Sequence, residues 1–118
     1  MPSPLPNDPH LIRLREFVTT LPETAEVEAW GHPTFRAGKK MFASFGFHEG
    51  IPTISVKQTF SDQEVLLEDS HFFLPPYSGK QGWVGIWVEQ VEWSLVEDLV
   101  ERAYRLVALK RMLRALDA

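Results

Sequence analysis

Cysteine is absent from this 118-residue chain. Disulfides, thiolate catalysis and cysteine-ligated zinc are therefore excluded. No apolar run approaches the ~20 residues that a membrane span needs. The N-terminal Met-Pro-Ser-Pro-Leu-Pro carries neither a basic n-region nor an apolar h-region, so the expectation is an intracellular, cytoplasmic protein with no membrane partner. Positive charge is in deficit: the formal net charge is -4. That balance argues against indiscriminate nucleic-acid binding but leaves room for a local basic patch. Hydrophobic content of 44% and charged content of 24% are ordinary for a globular chain of one domain. At this length a core can form without staples.

The most informative stretch is Trp83-Val84-Gly85-Ile86-Trp87-Val88. It alternates with period two and reads as a β-strand. Val84, Ile86 and Val88 share one face, which is core. Trp83, Gly85 and Trp87 share the other, which is either covered by a neighbouring element or left as an exposed aromatic platform.

Residues 1 to 7 read as an extended, proline-rich lead-in. Asp8 is a good N-cap and Pro9 suits the first helical position. Leu11, Leu14, Val18 and Leu21 then recur at helical spacing, so a helix runs from about Pro9 to Thr20. A β-rich middle follows. Glu26 to Trp30 and Thr34 to Ala37 are short strands separated by Gly31-His32-Pro33. Gly38-Lys39 is a hairpin turn. Met41 to Phe47 is a strand with Met41, Ala43, Phe45 and Phe47 on one face and Phe42, Ser44 and Gly46 on the other. Pro52 to Gln58 returns, with Ile54 and Val56 inward.

Ser61 to Glu64 has the capping-box pattern and opens a short helix. Phe72 to Leu74 is a strand fragment ended by Pro75-Pro76, and Tyr77 to Gly82 form a flexible loop. Ser94 to Glu97 is a second capping-box pattern, with Trp93 as a possible hydrophobic staple before it. It opens the longest helix, about Leu95 to Ala115, with acids in its first turns and Lys110, Arg111 and Arg114 in its last. The expected fold class is α+β, an antiparallel β-sheet with the N- and C-terminal helices packed on one face.

Several ordered motifs resemble the MmcQ/YjbR family of small bacterial proteins. They are Leu21-Pro22, Trp30-Gly31-His32-Pro33-Thr34-Phe35, Gly38-Lys39-Lys40-Met41-Phe42-Ala43, Val56-Lys57, Pro76-Tyr77 before Trp83-Val84, and the stretch Ala103 to Arg111. Members often carry proline before the terminal lysine, where this chain has Leu109. The resemblance implies a two-layer sandwich like that of bacterial frataxin (CyaY-like) and a "double-wing" arrangement proposed to bind DNA.

On that reading the protein is a monomeric binding module and not an enzyme. DNA or another anionic ligand would be its partner, held by Arg36, Lys39, Lys40, Lys57, Lys110 and Arg111. Tyr77 and Trp83 would stack bases. The bland alternative is a set of solvated lysines and a second small core around Trp83, Trp87 and Trp30. A rival functional reading is a small-molecule or protein-interaction domain using the Trp83/Trp87 face and the 75–82 loop. A concave pocket floored by Trp83 would favour the ligand; a convex basic ridge would favour nucleic acid.

No cofactor or metal is expected. His10, His32, His48 and His71 have no ligand spacing, and the first helix offers only Asp8 and Glu16 for frataxin-like iron. The serines lack a nucleophile-elbow context. Ser78 to Gly82 lacks P-loop spacing.

Overall fold

A computed structural model describes residues 8–118; the extended lead-in expected for residues 1–7 lies outside them. Helix α1 (Pro9–Val18) begins where the Asp8 carboxylate accepts from the backbone N–H groups of His10 and Leu11. Four strands follow as a meander: β1 (Thr24–Ala29), β2 (His32–Ala37), β3 (Lys40–His48) and β4 (Ile51–Val56). Helix α2 (Phe60–Leu66), the two-residue β5 (Phe72–Phe73) and β6 (Val84–Trp87) come next. Helices α3 (Trp93–Val107) and α4 (Lys110–Leu116) close the chain. The strands form one antiparallel sheet in the order β1-β2-β3-β4-β6-β5.

One face of that sheet is the core. Leu11, Leu14 and Val18 of α1, the stripe Val96 to Val107 of α3 and Met112 of α4 pack on Phe35, Phe45, Ile54, Val56, Val84 and Ile86. The α+β architecture with terminal helices on one face is thus the observed one. The aliphatic face of β6 faces inward, as its alternation requires.

The alternation of β3 is broken. The pairing of β2 with β3 shifts between Phe35 and Arg36, so Ala43 opposes Phe35, Met41 opposes Arg36, and Phe42 is left over as a bulge. A bulge places two consecutive side chains on one side of the strand. Phe42 therefore joins Ala43 and Phe45 in the core, with its ring edge-on to Tyr104 at 5.6 Å. Met41 falls on the opposite face, the reverse of simple alternation. The first turn also differs. Trp30 and Gly31 form the β1–β2 hairpin with φ of 52° and 78°, and His32 and Pro33 belong to β2. Positive φ at both central residues is the type I′ signature, whose twist matches the flanking strands.

The expected single C-terminal helix is two. Val96, Leu99, Val100, Ala103, Tyr104 and Val107 face the core. Continued at 3.6 residues per turn, that stripe would next present Lys110 and Arg111 to it. Instead Ala108 and Leu109 take extended backbone, with ψ of 147° and 158°. The helix restarts in a phase that buries Met112 and packs Leu113 and Leu116 against the core. Leu109, where the resembled family often has proline, has a φ of -74° that a proline would share.

The expected caps move as well. Thr59, not Ser61, caps α2 by accepting from the Asp62 N–H at 3.1 Å. Ser94 lies inside α3, and Trp93, the expected staple, is its first residue. The Trp93 indole donates to Glu97 at 3.1 Å and lies beneath the Arg13 guanidinium.

Candidate functional site

The face of the sheet away from the core is the surface of interest. Register carries one row of residues across every strand: Val27 opposite Thr34, Thr34 opposite Ser44, Ser44 opposite Ser55, Ser55 opposite Gly85, and Gly85 opposite Phe73. A second row runs through Gly46, Thr53 and Trp87. The centre of the face is small and hydroxylated because the core residues alternate with Thr and Ser on β2, β3 and β4. The Thr34 hydroxyl donates to the Val27 carbonyl and that of Thr53 to Gly46, which leaves Ser44 and Ser55 as the hydroxyls presented outward.

Large side chains rise around this floor and border an open cavity of about 770 Å³. Trp30, Trp83, Phe73, Tyr77 and the Pro75-Pro76 pair wall it, and Met41, Thr34, Ser44, Ser55 and His32 line its base. No Lys, Arg, Asp or Glu side chain is among its lining residues; His32, His48 and Tyr77 are the titratable ones.

Two walls are held in unusual backbone. Tyr77 has φ 67° and ψ -59°, and the Ser78 N–H donates to the Pro76 carbonyl at 2.7 Å. That is a γ-turn of the rare, strained form. It leaves the Tyr77 side chain 95% exposed at the rim. Trp30, on the I′ turn of the β1–β2 hairpin, is 84% exposed. Large residues with positive φ cost energy that turn glycines would avoid, and such positions concentrate at functional sites.

Within the loop expected over Tyr77 to Gly82, Ser78–Gln81 form a 3-10 turn. The Gln63 side-chain amide donates to the carbonyls of Gly79 and Trp83, at 2.8 and 2.9 Å. The Lys57 ammonium donates to the Gln81 carbonyl at 3.2 Å. A further wall is an aromatic cluster. Phe73 covers Gly85 and packs on Trp87 with ring centroids 4.5 Å apart, and His48 lies 5.2 Å from Phe73.

The sequence-predicted residues separate into groups. Tyr77 and Trp83 line the cavity, although Trp83 is only 4% exposed and acts as wall rather than platform. Arg36 and Lys57 lie on the same open side: Arg36 opposes Met41 and alternates with the buried Phe35 and Ala37, and Lys57 follows the buried Val56.

Lys39, Lys40, Lys110 and Arg111 lie elsewhere, where the β2–β3 hairpin meets the α3–α4 joint. A β-carbon on Gly38 would stand 3.3 Å from the Met112 side chain. Lys110 and Arg111 thus open α4 rather than ending a long helix, against the helix dipole. Arg111 forms a two-pronged ion pair with Glu23, at 2.7 and 2.9 Å. Hydrogen bonding within this pair holds the Glu23 carboxyl below the usual carboxylate range and raises Arg111.

Trp30, His32, Thr34, Ser44, Ser55 and Phe73 line the cavity and were not singled out as site residues from sequence. Their signal was present only as strand alternation, which names a face but not what gathers there. Among the described residues no group of three His, Cys, Asp or Glu side chains is placed to hold a metal ion, and no helix is long and apolar enough to cross a membrane.

The YjbR family model matches residues 19–106. A solved protein of Deinococcus radiodurans with a DUF419 domain is similar to the chain at 20% identity, over 91% of this chain and 87% of that one, with a TM-score of 0.73. A solved Pseudomonas syringae protein is similar at 13% identity, over 81% and 97% respectively, with a TM-score of 0.69. No curated protein matches.

Proposed function

For a chain that belongs to the YjbR family, we propose that the open sheet face is a binding site for a flat organic ligand, and that the protein is a binding module rather than an enzyme. One observation carries this reading: a cavity of about 770 Å³ with aromatic walls, a hydroxyl floor and no Lys, Arg, Asp or Glu side chain among its lining residues. Its size is that of a small-molecule site. Aromatic faces bind ring systems by stacking, and Ser44 and Ser55 supply directional hydrogen bonds. Trp30 and Tyr77, both with most of their surface in solvent, gain the most contact area when a ring enters.

A second reading, nucleic acid as partner, is favoured by the corner where the β2–β3 hairpin meets the start of α4. Lys39, Lys40 and Lys110 are exposed there. It is weakened by the Glu23–Arg111 ion pair at the same corner and by the net charge of -4.

Calorimetric titration with the neutral bicyclic probe 2-naphthamide, beside a short DNA duplex at several salt concentrations, separates the two. The cavity reading expects saturable, salt-insensitive heat with 2-naphthamide. Nucleic-acid binding expects log affinity to fall with log salt by about 0.9 per phosphate neutralised. Salt-dependent duplex binding with no response to the naphthyl probe would replace the first reading by the second.

A further inference from the structure

Among the described residues, four arginines pair with carboxylates. Arg15 pairs with Glu26, Arg102 with Asp98, Arg105 with Glu101 and Asp117, and Arg111 with Glu23. Arg36 is different. It is half-buried on the sheet, and its Nε is removed from solvent with no hydrogen-bond partner among the described residues. A guanidinium N–H withdrawn from water without an acceptor is costly, and buried polar groups almost always have a partner.

The neighbouring acids cannot supply one, because the pleat turns them away. Arg36 opposes Ala25 of β1 and Met41 of β3. Glu26 follows Ala25 and therefore falls on the helix side, where it receives Arg15. Glu28 shares the side of Glu26 by the same alternation.

Arg36 is also next to the cavity. It lies two residues, about 7 Å along the strand, from Thr34 of the cavity base, and its cross-strand neighbour Met41 is itself a lining residue. Lys57 leaves the same face from β4, its backbone N–H bonded to the Phe42 carbonyl next to Met41. One end of an otherwise uncharged cavity is thus flanked by two cations, one of them with an orphaned donor.

We propose that the ligand is an aromatic anion: a planar ring carrying one carboxylate or phosphate group. This rests on the cavity reading given above and specifies its ligand class. The ring lies over Ser44 and Ser55 between the aromatic walls. The anionic group accepts from the terminal Nη groups of Arg36, the part of the guanidinium not removed from solvent, in the planar, fork-like geometry that guanidinium favours, with Lys57 as the second positive charge.

The test is calorimetric titration of the whole chain with a matched set: 2-naphthoate, 2-naphthyl phosphate and neutral 2-naphthamide. The expected result is that at least one anion binds about ten- to a hundred-fold more tightly than the amide. Which anion is preferred tells a carboxylate ligand from a phosphate ester. Arg36→Gln should bring that anion down to the level of the amide and leave the amide unchanged. Should Arg36→Gln not fold, as judged by circular dichroism, Lys57→Gln and the wild-type comparison decide, with Lys57→Gln lowering affinity for the anion alone. Equal binding of amide and anions to the wild type overturns this inference and leaves the cavity reading standing. So does an anion preference that survives Arg36→Gln. Absence of binding by all three probes overturns both. A short oligonucleotide whose binding is lost in Arg36→Gln, with neither naphthyl anion preferred over the amide, assigns the arginine to a nucleic-acid strand and also overturns the proposal.

Discussion

The ring of Phe73 occupies the space above Gly85: a β-carbon added there would stand 2.2 Å from Phe73 Cζ. The two residues are cross-strand partners at the sheet edge. Absence of a side chain on β6 is what lets Phe73 lie down beside Trp87 and form one wall of the cavity. Gly85→Ala should destabilise the fold by about 1–3 kcal/mol through overpacking and lift Phe73 from its place. In the Phe73→Ala background the same substitution should cost much less. Urea unfolding of the four variants in a double-mutant cycle measures this coupling, and additive costs would show that the ring does not depend on the glycine.

Met41 and Phe42 test the bulge in β3. Strict alternation would bury Met41 and expose Phe42; the observed register does the reverse. Phe42→Ala should cost about 3–5 kcal/mol, as expected for a core phenylalanine. Met41→Ala, on the cavity side, should cost about 1 kcal/mol or less. Denaturant midpoints at unchanged slope are the readout. A larger loss at Met41 would mean that the strand is paired without the extra residue.

Trp30 sits in the left-handed region ahead of Gly31, a position where asparagine is favoured. Trp30→Asn creates the preferred Asn-Gly hairpin turn. It should raise stability by a few tenths to about 1 kcal/mol by relieving the strain. It also removes a cavity wall, so affinity for the naphthyl probes should fall several-fold. Thermal melts and calorimetry on one sample set decide it; unchanged affinity would exclude Trp30 from the ligand site.

Helix α4 is tied down by Arg111 to Glu23 and by Arg105 to Asp117. Hydrogen bonds from these guanidinium groups hold both carboxyls below their ordinary range. A carboxyl with a depressed folded pKa contributes stability above its unfolded pKa and loses it as pH falls through the folded one. Attachment of α4 should therefore be complete at neutral pH and weaken below about pH 4. Carbon NMR of the carboxyl groups should show low midpoints for both residues, and Arg111→Gln should return Glu23 upward while Asp117 stays low.

Much of the fold was legible in the residues because it follows from local period. The Asp8–Pro9 helix start, the inward Ile54 and Val56, the two-faced β6 strand and the apolar stripe of α3 each repeat at 2 or 3.6 residues within one segment. The Lys110–Arg111 interruption of that stripe was also visible in principle, as two cations at the positions the core would next require. Reading the positive residues at the chain's end as a helix C-terminus hid it. The site was less legible. Trp83 was visible through the alternation of its strand and Tyr77 through the motif Pro76-Tyr77, whereas Trp30, Ser44, Ser55 and Phe73 carry no local mark of a shared cavity.

The residues by themselves determined the α+β class, the antiparallel order of the middle strands and the side of β6 that meets the helices. Each follows from side-chain periodicity and turn chemistry within a few neighbours. Tertiary structure decided the bulge at Phe42, the break at Ala108-Leu109 and the row from Val27 to Phe73, with Arg36 left unpartnered beside it. These depend on how many residues oppose each other across strands distant in the chain, a count that no single segment contains.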